Sequence, residues 1–151
     1  MKFLCDQMLG TLAKWLRIYG FDTFYSNSEI DDLELINIAK EEKRILLTRD
    51  KELIIRGRKK NLQVIQVNNT DLDKQLSLVL KNVDIDSNLI LSRCLICNNP
   101  IEEIQKNKVI EKVPKKVFEN NDKFWFCKSC NKFYWKGSHF ENMLEKIKKI
   151  T

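Results

Sequence analysis

Two C-x2-C pairs constrain this chain more than any other feature of its sequence. They are Cys94 with Cys97 and Cys127 with Cys130, and 29 residues separate one pair from the other. A two-residue gap turns the backbone so that both thiolates face one ion at ~2.3 Å, as in a tetrahedral zinc site. Disulfides are the alternative, and a reducing compartment disfavours them. We therefore predict one structural Zn²⁺ held by the four thiolates.

The charge is distributed as unevenly as the cysteines. Residues 1–90 hold 14 Lys and Arg against 14 Asp and Glu, whereas residues 91–151 hold 13 against 7. The whole net charge of +6 therefore lies in the part that carries the cysteine pairs. A basic module beside a neutral one favours a polyanionic partner, most often nucleic acid, although a lysine-rich surface also serves solubility.

Strand and helix patterns alternate along the first 80 residues. Short apolar runs predict strands, and apolar residues at helical spacing predict the helices between them. The alternation is typical of an α/β fold with a parallel sheet flanked by helices. We predict this lobe over 1–82 and a small C-terminal zinc module over 91–151. The predicted strands are 2–5, 22–25, 44–48 and 62–67, and the predicted helices are about 8–19, 31–42, 51–60 and 71–81.

Acidic residues stand where functional groups gather in open α/β sheets. Asp6 ends the first strand, and Asp50 follows the third. Asp32 or Asp31 opens the helix between the second and third strands. At the carboxyl ends of parallel strands these carboxylates converge, and a cation would relieve the repulsion between them. Hard oxygen ligands suit Mg²⁺ or Mn²⁺, which can activate water beside a phosphate. The alternative is that each Asp only caps a helix.

Longer stretches of the chain are similar to a known family. They are MKFLCDQMLGTLAKWLRIYGFDT, IDDLELINIAKEEKRILLTRDKEL and YWKGSH, together with the C-x2-C pairs. These stretches resemble PIN-like nucleases, in particular the RNase module at the carboxy-terminal end of mutator-type exonucleases, where a PIN-like lobe precedes a zinc ribbon. The resemblance implies a metal-dependent ribonuclease with Asp6, Asp32 and Asp50 as catalytic acids and ligands of Mg²⁺ or Mn²⁺. Asp31 is a substitute for Asp32 or a partner to it.

The chain departs from the family pattern at one position. PIN nucleases commonly carry a further acid after the next strand, and here the candidates are Asp71 and Asp73, neither of which stands in a motif. A site of three acids would hold one ion rather than two. Thr48 would orient the loop of Asp50 through its hydroxyl or cap the following helix.

Four basic side chains are candidate substrate contacts. Lys14 and Arg17 lie on the first helix opposite its apolar face, where they hold a phosphate near the ion or form a solvated surface. Arg49 lies in the Thr-Arg-Asp turn and contacts substrate or pairs with a carboxylate. His139, the only histidine, is not needed for zinc and contacts RNA or a structural hydrogen-bond partner.

Aromatic residues are concentrated near the second cysteine pair. Eight of the 14 fall between Phe118 and Phe140. Rings interleaved with lysine can stack on single-stranded RNA, but a small zinc module also needs a core, and we expect half or more of them to be core.

These features predict a cytoplasmic, Mg²⁺- or Mn²⁺-dependent ribonuclease whose basic zinc module binds RNA. The alternative is a non-catalytic adaptor that binds RNA or ribonucleoprotein. Asp6 interrupts the apolar N-terminus where a signal peptide needs an unbroken core. No apolar run approaches the ~18 residues of a membrane span, so no membrane partner is expected. The sequence does not indicate the oligomeric state.

Overall fold

The computed structural model describes residues 1–26, 29–81 and 83–150. Its contacts divide the chain into two compact units, Met1–Asn98 and Asn99–Thr151, which we call the α/β unit and the C-terminal unit. The division falls after the first cysteine pair, whereas the zinc module predicted from the sequence begins at residue 91. Hydrogen bonds that tie residues 95–98 to the α/β unit account for this difference.

The α/β unit alternates strands with helices. Its elements are β1 (Lys2–Cys5), α1 (Gly10–Ile18), β2 (Asp22–Tyr25), α2 (Asp32–Glu41), β3 (Ile45–Thr48), α3 (Lys51–Lys59), β4 (Val64–Gln66) and α4 (Leu72–Leu80). The four strands form one parallel sheet in the order β2-β1-β3-β4. Helix α1 contacts α4, and α2 contacts α3. This architecture confirms the predicted fold class.

The two central strands, β1 and β3, are mostly apolar, and nearly all of their residues are buried. Leu4 of β1 is paired with Leu46 of β3, and both are fully buried. Leu35 of α2 and Leu53 of α3 pack into the same cluster. Burying one such leucine contributes about 1.5–3 kcal/mol, so this core stabilises the two central strands.

All four strands run in the same direction, so the sheet has two different ends. We call them the carboxyl end and the amino end of the sheet. Asp6 follows β1 and Asp50 follows β3 at the carboxyl end. Asp22 begins β2 and Arg44 precedes β3 at the amino end.

The C-terminal unit is built on an antiparallel sheet in the order β5-β6-β7. Its elements are β5 (Glu102–Ile104), α5 (Lys115–Asn120), β6 (Phe124–Cys127), β7 (Lys132–Trp135) and α6 (Ser138–Ile150). Strands β6 and β7 form a hairpin around the second cysteine pair. The three-residue strand β5, with two glutamates, carries no strand signal of its own. Among the described residues, none of the helices has the length and hydropathy that a membrane span requires.

Candidate functional sites

Asp6 is the most buried of the predicted acids, with 6% of its surface exposed. It caps the short 3₁₀ turn that follows β1, because its Oδ1 accepts a hydrogen bond from the Met8 amide at 3.1 Å. Its Oδ2 accepts a hydrogen bond from the hydroxyl of Thr48, which is fully buried. Residues that follow β1 and a residue that ends β3 therefore hold this carboxylate in one orientation.

Thr48 joins Asp6 to the loop that carries Asp50. Its hydroxyl donates to Asp6 and accepts from the Asp50 amide at 3.0 Å. Asp50 in turn caps α3, with its Oδ1 accepting from the amides of Glu52 at 2.9 Å and Leu53 at 3.3 Å. Both cap bonds fall on Oδ1, and among the described residues no hydrogen bond reaches Oδ2 of Asp50. That oxygen is therefore available to a ligand.

The two acids at the start of α2 have different roles. Asp31 is the cap, and its Oδ1 accepts from the Glu34 amide at 2.8 Å. Asp32 is the first helical residue, and its Oδ2 lies 3.5 Å from Nη1 of Arg56 in a partly exposed ion pair. The structure thus assigns the cap to Asp31 and leaves Asp32 as the acid that faces solvent and Arg56.

The pKa of Asp6 is affected by the charges of the other two predicted acids, Asp32 and Asp50. Burial raises the pKa of this carboxyl, and the hydrogen bonds from Thr48 and Met8 act in the opposite direction. The negative charges of Asp50 and Asp32 raise the pKa further. The net shift is upward with burial as its largest cause, and the smaller contributions of Asp50 and Asp32 place both charges close enough to repel that of Asp6.

A divalent ion fits this acid group only with water among its ligands. Among the described residues, one group of three or more His, Cys, Asp or Glu side chains has all its ligand atoms within 4.8 Å of one another. That group is the four cysteines. Asp6, Asp32 and Asp50 are more widely spaced than that. Mg²⁺ usually keeps several waters and binds proteins through one or two carboxylates, so wider spacing is compatible with it.

The further acid candidates follow β4 at the same end of the sheet. Asp71 caps α4, and its Oδ1 accepts from the Asp73 amide at 3.1 Å. Both residues are exposed. The carboxylate charges that raise the pKa of Asp6 come from Asp50 and Asp32, which leaves Asp71 and Asp73 outside that group.

The predicted basic contacts are placed differently from one another. Lys14 is exposed on α1 and Arg49 is half-buried between Thr48 and Asp50. No hydrogen bond or ion pair is found for Lys14 or Arg49 within the described ranges. His139 is the second residue of α6, and its side chain lies outside what the structure describes.

Arg17, another predicted substrate contact, has backbone carbonyls as its hydrogen-bond partners. Only 7% of its surface is exposed. Its Nε donates to the Thr23 carbonyl at 3.0 Å, and its Nη1 donates to the carbonyls of Leu95 and Ile96 at 2.9 and 3.2 Å. Leu95 and Ile96 are the two residues between Cys94 and Cys97, so Arg17 holds the first cysteine pair against the α/β unit.

Asn98 completes this attachment at the amino end of the sheet. Its backbone is in the left-handed region at φ 72°, and its amide donates to the Cys94 carbonyl at 3.0 Å. Its side chain accepts from the Thr23 amide at 3.0 Å and donates to Asp22 at 2.7 Å. Asp22 also pairs with the buried Arg44 at 2.8 Å. Neither Asn98 nor Arg44 stands in a sequence motif that indicates this role.

The four cysteines form the group that the spacing predicted. The Sγ atoms of Cys94, Cys97, Cys127 and Cys130 all lie within 4.8 Å of one another. Tetrahedral zinc with ~2.3 Å bonds needs sulfur atoms about 3.8 Å apart, so the donor set and its spacing fit Zn²⁺. The cluster could therefore hold a metal such as zinc.

The family model of the Mut7-C RNAse domain matches residues 1–147. The chain belongs to this family. The match confirms the resemblance to PIN-like RNase modules and supports a ribonuclease-like role with RNA as substrate. A comparison with curated proteins found no match.

Proposed function

We propose that this Mut7-C chain hydrolyses RNA phosphodiester bonds with Mg²⁺ or Mn²⁺ bound at the carboxyl end of the sheet. Asp6, Asp32 and Asp50 would hold the ion. The observation that carries the proposal is the buried carboxylate of Asp6, whose pKa is raised by burial and by the charges of two neighbouring acids. A bound cation removes that repulsion.

The ion would supply a water of lowered pKa and positive charge beside the scissile phosphate. The chain's own contribution is to hold the ligands: Thr48 fixes Asp6, and the cap of α3 fixes Asp50. Arg49 would contact a phosphate oxygen through its planar guanidinium, and Lys14 would act as a second positive charge. The basic residues of 91–151, which number 13 against 7 acidic ones, would bind the RNA.

Cleavage of single-stranded RNA with and without Mn²⁺ tests this proposal. The variant is Asp50→Asn, and the matched control is Asp86→Asn. Asp86 is another exposed aspartate whose Oδ1 caps a short turn, by accepting from the Asn88 amide at 2.9 Å. Asparagine keeps the cap oxygen in both variants and removes the charge. Asp50→Asn should lower the Mn²⁺-dependent rate by about 100-fold or more, and Asp86→Asn should leave it unchanged.

The second candidate is a non-catalytic RNA-binding adaptor. It is favoured by the structural partners that Asp6, Asp31 and Asp50 already have as turn or helix caps. In that case the wild-type chain binds RNA, Mn²⁺ brings no cleavage, and the two aspartate variants behave alike.

A further inference from the structure

One face of the antiparallel sheet in the C-terminal unit packs aromatic rings together. Successive residues of a strand point to opposite faces, and the register places Phe124 opposite Trp135 and Phe126 opposite Phe133 on this face. Phe124 is fully buried, with the rings of Phe118 and Trp135 at centroid distances of 6.4 and 6.5 Å. The centroids of Phe126 and Phe133 are 4.8 Å apart. Phe124 is thus the buried centre of this face, and the four rings around it are half-buried.

The opposite face presents two rings beside exposed cations. Trp125 and Tyr134 are paired across β6 and β7, and both are half-buried. Lys136 Nζ lies 5.1 Å from the ring centroid of Trp125 and 4.8 Å from that of Phe140 in α6. Lys132 Nζ lies 5.8 Å from the ring centroid of Tyr134. Both lysines are exposed. Glu103 is the partner of Trp125 on β5, so the positive charge lies on the β7 side of the rings.

We propose that Trp125 and Tyr134 form a stacking site for the bases of single-stranded RNA, with Lys132 and Lys136 as its phosphate contacts. The inference rests on the proposed RNA binding and names the surface that performs it. Every base has a π face, so two adjacent rings bind single strands with little sequence preference. An exposed lysine can leave a ring for a phosphate while a base takes the ring face.

The charge of this part of the chain favours RNA over a protein as the occupant. Residues 91–151 carry 13 basic side chains against 7 acidic ones, and two of the basic ones lie over the rings themselves. A base and its phosphate need a ring and a cation close together, which is the arrangement on this face. On the other face the rings pack on the buried Phe124 or on one another, and among the described residues the cation found there is Lys106, over Phe118 of α5.

A thermodynamic cycle between ring and base tests the stacking site. Affinities of the full chain and of Trp125→Ala are measured for a short oligouridylate and for an abasic oligomer of the same length. The wild type should bind the oligouridylate about 10- to 100-fold more tightly than Trp125→Ala does, and the two should bind the abasic oligomer alike. Trp125→Phe, which keeps a ring, should recover most of the affinity.

Charge and fold are controlled separately. Lys136→Gln should make the slope of log affinity against log salt less negative by about 0.7 for both oligomers, whereas Trp125→Ala should leave that slope unchanged. Phe126→Leu, on the face that contains Phe124, should lower the melting temperature and retain the affinity.

Three results would overturn the stacking site. If the wild type binds the oligouridylate and the abasic oligomer equally, or if Trp125→Ala weakens both to the same extent, stacking is refuted and RNA binding by the chain stands. If the wild type binds neither oligomer, RNA binding and the stacking site fail together.

Discussion

The two ends of the sheet in the α/β unit shift the pKa of a carboxyl group in opposite directions. At the amino end, burial acts to raise the pKa of Asp22, but hydrogen bonds from Asn98 and Arg44 outweigh it and lower the pKa. At the carboxyl end, burial raises the pKa of Asp6, and the charges of Asp50 and Asp32 raise it further. A carboxylate matched by donors and a cation stabilises the fold, whereas carboxylates gathered without a cation cost stability. We propose that this difference separates a structural end of the sheet from an end that binds a ligand.

The largest effect at the amino end is expected from Arg17→Met. Methionine fills the buried space but donates to none of the carbonyls of Thr23, Leu95 and Ile96. The loop between the first two cysteines then loses its support, and zinc affinity should fall by about 10- to 100-fold. Competition with a chromogenic chelator measures this. Arg58→Met, an exposed arginine of α3, is the control, and equal affinities for the two variants would refute the role of Arg17.

Replacement of Asn98 separates its side chain from its backbone conformation. Asn98→Gly tolerates φ 72° but removes the hydrogen bonds to Thr23 and Asp22, so the free energy of unfolding should fall by about 1–2 kcal/mol. Asn98→Ala should cost about 1 kcal/mol more, because alanine disfavours the left-handed region. Urea unfolding measures both. Equal stability of the two variants would show that the left-handed backbone is not required.

Much of the sheet is predictable because its signals are local. The apolar run in Ile45–Thr48 predicts a central strand, and the structure buries all four of its residues. An aspartate directly after a strand indicates the carboxyl end of the sheet. Arg17 could not be placed in this way. Helical spacing puts it on the polar side of α1, but a loop 78 residues later in the chain covers it. The bond from Thr48 to Asp6 also depends on β1 lying beside β3, a strand order that alternation alone does not give.

Asp50 offers a smaller test of the carboxyl end. Asp50→Ala removes the cap of α3 and should lower the free energy of unfolding by about 0.5–2 kcal/mol, whereas Asp50→Asn keeps the cap oxygen and should cost less. Thermal melts of both variants check the difference. If the two lose the same stability, the charge rather than the cap oxygen is what Asp50 contributes to the fold.

The smallest expected effect is a pair of pH dependences with opposite signs, measured without added Mg²⁺ or Mn²⁺. Because the pKa of Asp6 is raised, ionisation of this carboxyl costs stability as the pH rises through that pKa. The free energy of unfolding of Asp6→Asn should therefore increase relative to that of the wild type towards neutral pH. The pKa of Asp22 is lowered, so its ionised carboxylate stabilises the fold above the ordinary carboxyl pKa. That stabilisation is lost as the pH falls and the group is protonated. Asp22→Asn should therefore be most destabilised at neutral pH. Parallel pH curves for the two variants would contradict the comparison.

The most direct test of the division between the two ends compares Asp6→Asn with Asp22→Asn at neutral pH. The substitution is the same, and each variant is assayed for Mn²⁺-dependent RNA cleavage and for melting temperature. Asp6→Asn should lose cleavage by about 100-fold or more and keep or raise its melting temperature, whereas Asp22→Asn should melt lower and cleave normally. If Asp6→Asn melts lower and cleaves as the wild type does, the carboxyl end is structural and the account is wrong.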